Sequence, residues 1–327
     1  MNMAAVEKYS RLKAARISLR HAIPLPKPFT VLFEPASVCN FKCVCCFHNE
    51  PDIWAYLPKG LMKFDDFRKI ADDLAAWEGD RLKVIRVIGF GEPLLNPHTP
   101  RMVKYLKNLD VADRIEITTN ASLLRPALSQ QLIESGLDYL RCSIYSVDQK
   151  RHEALTQNGI SIEKIKSNIE VLKELRGSAG AAKPFIYVKM IESRDQFENA
   201  LFLKEYSDIA DEAALEKPHQ WLSNSDASGK MRRVCPQPFK MLSIHFDGSV
   251  ILCDPDWKGN TTVGNALSEK ISSIWGGAKM RDFWRMQIEN RRHENKSCRN
   301  CSFIVDEYAI DDLDGVSPEV LVAGRVK

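Results

Sequence analysis

Apolar positions along the chain alternate between two periods. Residues 29–33 (FTVLF) form a short apolar run that predicts a buried strand. The stretch 62–77 places apolar residues near 64, 67, 70, 71 and 74, the spacing of one helix face. The same alternation continues with strands at 83–90, 114–119, 139–144, 185–191 and 213–217. Helices are expected between them near 98–109, 125–135, 161–175 and 195–207. Six β/α repeats imply an α/β fold built on a parallel sheet with right-handed crossovers. Six units are too few for the eight-stranded barrel, so the expectation is an open, partial (β/α)6 TIM-like barrel. Its chemistry should lie on the loops at the C-terminal ends of the strands.

The flanks read differently. Residues 1–28 predict a helical extension that ends at the breaker Pro24-Leu25-Pro26-Lys27-Pro28, and the core is expected over 29–222. Beyond 222 the alternation stops. Residues 223–229 look like a linker, and apolar runs at 243–246 and 250–252 flank Asp247-Gly248, a hairpin signature. Helices near 268–276 and 278–290 complete a small α+β domain over 230–310, with a tail at 311–327.

Composition changes this picture little. Of 327 residues, 44% are hydrophobic and 27% charged, ordinary values for a folded chain. No apolar run approaches the ~18 residues of a membrane span, and the N-terminus lacks the apolar block of a signal peptide. The expected compartment is the cytoplasm. Net charge is +3, yet residues 1–28 carry six cations against Glu7, so the remainder is mildly acidic. A basic N-terminal helix could touch an anionic surface, or could be a solvated helix packed by one side. Nothing points to nucleic acid.

The nine cysteines change it most. They lie at 39, 43, 45, 46, 142, 235, 253, 298 and 301. An odd, clustered set without a secretory signal argues against a disulfide framework and points to metal. Cys39, Cys43 and Cys46 form CxxxCxxC directly after the first strand. Three thiolates on one loop suit three irons of a cubane and leave one iron open, although a zinc loop remains an alternative. Gly89-Phe-Gly91-Glu92-Pro93 ends the second strand, where glycines let backbone approach a ligand or simply make a βα turn. Thr118-Thr119-Asn120 ends the third. Cys235, Cys253, Cys298 and Cys301 supply four soft ligands, which suit zinc or a closed cubane equally.

Taken jointly, these motifs resemble the radical S-adenosylmethionine (SAM) enzymes over about residues 29–220. The resemblance implies that Cys39, Cys43 and Cys46 bind a [4Fe-4S] cluster whose open iron chelates SAM. Reductive cleavage of SAM then gives a 5′-deoxyadenosyl radical that removes a hydrogen atom from substrate. It assigns Gly89, Gly91, Glu92 and Pro93 to the turn that holds the methionine amino group, and Asn120 and Ser143 to SAM contacts. Two positions depart from the family: the residue before the third cysteine is Cys45 rather than an aromatic, and Tyr145 stands where an acidic residue often follows the serine. The C-terminal pattern, including Asp247-Gly248, Trp257, Gly264-Asn265 and Trp275, resembles the Twitch or shortened SPASM-like extension. Full SPASM domains use seven cysteines for two auxiliary clusters. Four here imply one auxiliary [4Fe-4S] cluster, fully ligated and therefore closed to direct substrate binding.

Other groups carry weaker expectations. Cys142 should pack under the helices, because Ser143 points the other way. Cys45 is inert, a hydrogen-atom donor or a spare ligand. Tyr145, Tyr187, Lys189, Glu216, His219 and Trp221 are candidates for substrate contact, and His245, alternating with Ile244 and Phe246, reads as structural. The leading function is a radical dehydrogenase acting on a hydroxyl carbon of a small sugar or aminocyclitol, with Lys189 or His219 as base and Tyr187 beside them. A redox-neutral epimerase would need a thiol such as Cys45. Peptide maturation is disfavoured by the 38 residues before Cys39, too few for a peptide-recognition domain. A non-enzymatic iron–sulfur scaffold would not need the Gly89–Pro93 turn. The expected partners are a small-molecule substrate and an electron donor such as flavodoxin or ferredoxin.

Overall fold

The structure, a computed structural model, describes residues 18–217, 232–301 and 311–323. Most of the N-terminal extension, the linker at 223–229, and His219 and Trp221 lie outside the described residues. In chain order the elements begin with α1 (Leu19–Ala22), β1 (Thr30–Phe33), α2 (Ile53–Tyr56), α3 (Phe64–Ala76), β2 (Val84–Val87), α4 (Thr99–Leu109) and β3 (Ile115–Thr119). They continue through α5 (Pro126–Glu134), β4 (Tyr139–Ile144), α6 (Gln149–Thr156), α7 (Ile162–Ser178), β5 (Phe185–Ile191), α8 (Gln196–Ser207) and β6 (Glu212–Glu216). The C-terminal part contributes β7 (Met241–Ile244), β8 (Ser249–Ile251), β9 (Thr262–Asn265), α9 (Ile271–Trp275), α10 (Ala278–Ile288) and α11 (Val320–Ala323).

Each strand of the six expected repeats forms, and β1 to β6 pair in parallel in sequence order. The sheet does not stop at the expected boundary near 222–230. β7 pairs in parallel with the free side of β1, from Thr30↔Met241 to Phe33↔Ile244. β8 and β9 then continue antiparallel, giving one open nine-stranded sheet with the order β6-β5-β4-β3-β2-β1-β7-β8-β9. All four residues of β7 are buried, as a strand covered on both faces requires.

The two faces of the sheet differ in chemistry. One packs against the helices through Val31, Phe33, Ile85, Val87, Ile117, Leu140, Val188 and Leu242. Cys142 is fully buried among them, as its alternation with Ser143 requires. The opposite face carries Arg86, Glu116, Arg141, Ser143, Tyr187 and Lys189, an unusually ionic row for a sheet interior. Tail and N-terminus are stitched together beside β7: Arg20 donates to the Asp314 carbonyl at 2.9 Å, and the Asp314 carboxylate accepts from the backbone N–H groups of Arg233 and Val234.

Candidate active site

The loop after β1 carries the first three cysteines, and α6 positions it. The N–H groups of Lys42 and Val44 donate to the carbonyls of Thr156 and Leu155, at 3.0 and 2.8 Å, at the C-terminal end of α6. Phe41 is buried beneath the loop against His152 of α6 and Tyr145, with ring centroids 5.9 and 6.2 Å away. Asp148 caps α6 by accepting from the Arg151 N–H. This helix was not expected from the sequence, because its eight residues show almost no apolar stripe.

Burial pushes the thiols of Cys39 and Cys43 up to about 12 and that of Cys46 up to about 11, and the cysteines raise one another further. Cys45 lies exposed on the same loop. The Tyr145 hydroxyl hydrogen-bonds the Cys43 sulfur, so the tyrosine that departs from the family pattern faces the thiol set. Among the described residues no three His, Cys, Asp or Glu side chains converge as a single metal ion requires. Three crowded soft donors, costly to ionise alone, fit a group that brings its own positive charge and places one iron under each sulfur.

The Gly89–Pro93 turn is locked to that loop. The N–H groups of Gly91 and Glu92 donate to the carbonyls of Ala36 and Val38, at 3.1 and 3.0 Å. A Cβ on Gly91 would lie 2.2 Å from the Val38 oxygen, and one on Gly89 would lie 2.3 Å from Cγ of Glu34. Both glycines are therefore required by close approach to the protein itself, not only by a ligand. Glu92 is a buried latch: its Oε1 accepts from the Thr119 hydroxyl (2.6 Å) and the Leu94 N–H, and its Oε2 accepts from the Asn120 N–H (2.8 Å). Burial raises its pKa, against these donors. Asn120 in turn donates to Asn40 beside Cys39. Gly91→Ala is expected to force the cysteine loop off the turn, at a cost of about 1–3 kcal/mol. Calorimetry should show a melting temperature lowered by at least about 3 °C, and iron assay should show poorer occupancy at the first site.

On the ionic face, Ser143 stands beside Lys189 in the β4–β5 register. Lys189 Nζ pairs with Glu216 Oε2 at 2.7 Å, Arg141 Nη2 with Glu216 Oε1 at 2.9 Å, and the Tyr187 hydroxyl donates to the same oxygen at 3.2 Å. Burial alone would raise the Glu216 carboxyl, but Lys189 and Arg141 hold it below the usual range. Burial keeps Tyr187 protonated. Burial lowers the Lys189 pKa, while the ion pair with Glu216 works to raise it; the four side chains form one cluster on this face. Lys189 and Tyr187, named with His219 as candidate catalytic residues, thus share one partner, Glu216.

A second polar cluster sits at the ends of β1 and β7. Glu34, fully buried, accepts from the Phe90 N–H at 2.7 Å and pairs with His245 Nδ1 at 3.3 Å. Burial works to lower the His245 pKa, but Glu34, Asp247 and Asp254 together raise it. Sequence reasoning passed over Glu34 entirely and read His245 as structural. The signal was the placement of Glu34 immediately after the first strand and before the cysteine loop.

The four C-terminal cysteines also gather. Cys253 lies close enough to Cys235, Cys298 and Cys301 that burial first, and then these three neighbours, push its thiol far up. Burial raises Cys235 to about 11 and Cys298 to about 12. Buried Gln287 bridges two of them, accepting from the Cys235 N–H and donating to the Cys298 sulfur. Arg292 donates to the carbonyls of Cys298 and Cys301. The donor set again fits an iron–sulfur cluster, here with every ligand supplied by the chain.

Comparison with known proteins agrees with this geometry. The family profile described as Radical SAM superfamily matches residues 33–203, and that described as Iron-sulfur cluster-binding domain matches 235–302. A tungsten-containing aldehyde ferredoxin oxidoreductase cofactor-modifying protein from Pyrococcus furiosus is 30% identical over 178 residues, 53% of this chain and 46% of the relative. A GTP 3',8-cyclase from Staphylococcus saprophyticus is 31% identical over 135 residues, 40% of this chain and 38% of the relative. The matches thus span less than half the length of these curated relatives. Among solved structures, BtrN in complex with AdoMet and 2-DOIA superposes with a TM-score of 0.55 at 18% identity, covering 85% of this chain and 94% of that one. SuiB from Streptococcus suis bound to S-adenosylmethionine gives 0.56 at 15%, covering 86% and 74%. Both likenesses show the fold.

Proposed function

The chain belongs to the radical SAM superfamily, and from that premise we propose that it is an oxidoreductase that dehydrogenates a hydroxyl carbon of a small polar substrate of the sugar or aminocyclitol type. Membership brings SAM and iron–sulfur clusters with it. In this reading Cys39, Cys43 and Cys46 hold the SAM-binding [4Fe-4S] cluster, and Cys235, Cys253, Cys298 and Cys301 hold the auxiliary one. The Gly89–Pro93 turn, Asn120 and Ser143 face SAM. When bound, the first cluster supplies the electron that cleaves SAM, and the auxiliary cluster accepts the second electron of the oxidation. A small reduced flavoprotein or ferredoxin serves as donor. No helix among the described residues is long and apolar enough to cross a membrane.

The observation that carries the reading is the gathering of all four C-terminal thiols around Cys253. A cluster closed by four protein ligands has no iron left for substrate, so its use is to take or pass electrons. In a dehydrogenation the electron it takes is the one left on the substrate radical. The Arg141–Lys189–Glu216 cluster supports a polar substrate, offering fixed donors on the ionic face.

The reaction class is tested by running the reconstituted enzyme with SAM and dithionite in D₂O. The product is expected two mass units below substrate, with no deuterium at the reacting carbon. Cys45→Ala should retain activity within about threefold, since Cys45 lies exposed on its loop. An isobaric product carrying one carbon-bound deuterium, lost in Cys45→Ala, would assign an epimerase. A cross-linked peptide would assign a maturase.

A further inference from the structure

The surface beside the auxiliary thiols is set apart by charge. Residues 278–301 carry seven Lys and Arg against three Asp and Glu, a net +4, whereas the whole chain is +3. Five of these cations, Lys279, Arg291, Arg292, Lys296 and Arg299, lie on the wall of one open hollow or on the loop that carries Cys298 and Cys301. The hollow has a volume of about 390 Å³, and Phe283 and Met286 line it together with Lys279 and Arg291. Hydrogen bonds join it to the cysteine loop. Asn260, on its wall, donates to the hydroxyl of Ser297, the residue before Cys298, at 2.9 Å, and its carbonyl accepts from Asn295 at 2.9 Å. Arg292 holds the carbonyls of Cys298 and Cys301, at 3.0 and 2.8 Å, and both cysteines remain partly exposed. An apolar centre with a cationic rim is the make-up of a protein-docking patch, and electron-transfer encounters need only a small one. The acids Asp282, Glu289 and Glu294 interrupt the cations, the last two paired with Arg291. The surface is therefore not the continuous cationic track that a phosphate backbone takes.

We propose that this face docks a small acidic one-electron carrier protein, and that the electron taken up by the auxiliary cluster leaves through it. This rests on reading Cys235, Cys253, Cys298 and Cys301 as the ligands of a redox-active cluster. The balance is one electron: the auxiliary cluster, reduced by the substrate radical, returns to its oxidised form, the oxidised carrier gains the electron, and no bond forms or breaks. Exchange with a partner requires a ligand of the cluster near the surface, and the loop of Cys298 and Cys301 supplies it. The cations around that loop face the acidic surface of the carrier, which speeds the encounter and fixes its orientation.

Docking and electron exchange are measured separately. Titration calorimetry of the reconstituted holoenzyme with an oxidised bacterial flavodoxin and an oxidised bacterial ferredoxin needs neither SAM nor substrate. At least one carrier should bind at low ionic strength and bind more weakly as salt screens the charges. Lys279→Glu combined with Lys296→Glu should weaken binding at least about tenfold. Lys104→Glu combined with Lys164→Glu makes the same charge change at exposed positions of α4 and α7 and should stay within about twofold of wild type. Binding of neither carrier, or an equal loss in both double variants, overturns the docking face. Tighter binding of a DNA duplex or of anionic lipid vesicles, lost only in the first double variant, overturns it too and assigns the face to that polyanion. Stopped flow reads the second step in the full chain with Cys39, Cys43 and Cys46 changed to alanine, where only the auxiliary cluster reports. After reduction and removal of dithionite, re-oxidation by the bound carrier should slow at least about tenfold in the Lys279→Glu, Lys296→Glu background, with iron content unchanged. An equal rate overturns the exit. A protein with no reducible cluster at these cysteines removes the exit and the dehydrogenase reading together, whereas a product carrying one deuterium removes the dehydrogenase reading alone.

Discussion

Replacing Cys39, Cys43 and Cys46 together by alanine is expected to abolish SAM cleavage and to reduce reconstituted iron from about eight to about four per chain. The loop they share has no other purpose visible in the fold. Its backbone is held from below by α6 through Lys42 and Val44 and from the side by the glycine turn, and the three side chains pack at the edge of the core. Their burial makes the apo site a set of neutral thiols, and metal binding must release protons from them. Iron and sulfide assays together with chromatography of 5′-deoxyadenosine check the result. A triple variant that still cleaved SAM under dithionite would show that the site is assigned to the wrong cysteines.

Replacing Cys235, Cys253, Cys298 and Cys301 should have the opposite signature. Iron again falls to about four per chain, SAM cleavage stays measurable, and the oxidised product drops below detection, because the substrate radical has lost its electron acceptor. A milder probe is Gln287→Leu. It removes the donor to the Cys298 sulfur and the acceptor of the Cys235 N–H while leaving all four thiols in place. The second cluster should still assemble but at a lower reduction potential, since hydrogen bonds to cluster sulfurs raise it. Protein-film voltammetry reads that shift. Anomalous scattering from a single zinc at these cysteines, in a fully active enzyme, would sink the assignment.

The strand and helix order was legible because each element of the repeat has its own period, and the boundaries of β4 and β5 match the sequence reading residue for residue. The cysteine sets were legible because spacing survives in sequence. What escaped was set by distance along the chain or by weak local pattern. α6 is eight residues long, and its main buried contributions are His152 and Thr156, which no apolar count registers. The parallel pairing of β7 with β1 joins residues more than 200 positions apart, and a two-strand hairpin signature does not say which edge the hairpin extends. The Glu34–His245 pair depends on that pairing, because only when β7 lies beside β1 do the residues after Phe33 and Ile244 meet. A lone histidine between Ile244 and Phe246 carries no sign of it. Lys189 and Tyr187 share the partner Glu216, which lies on another strand, so their pairing leaves no local signal in the sequence.

The β1–β7 ladder has a mechanical consequence. One end of β1 leads into the first cysteine loop, and the hairpin continuing from β7 leads to Cys253, so the first thiol set and Cys253 both follow strands of a single hydrogen-bonded sheet. Tunnelling falls off exponentially with distance, and a hinge between two redox centres would make their exchange rate follow every swing. A shared ladder instead acts as a ruler. It holds the gap constant, and it also means the C-terminal third cannot be trimmed away without turning β1 into an exposed, adhesive sheet edge.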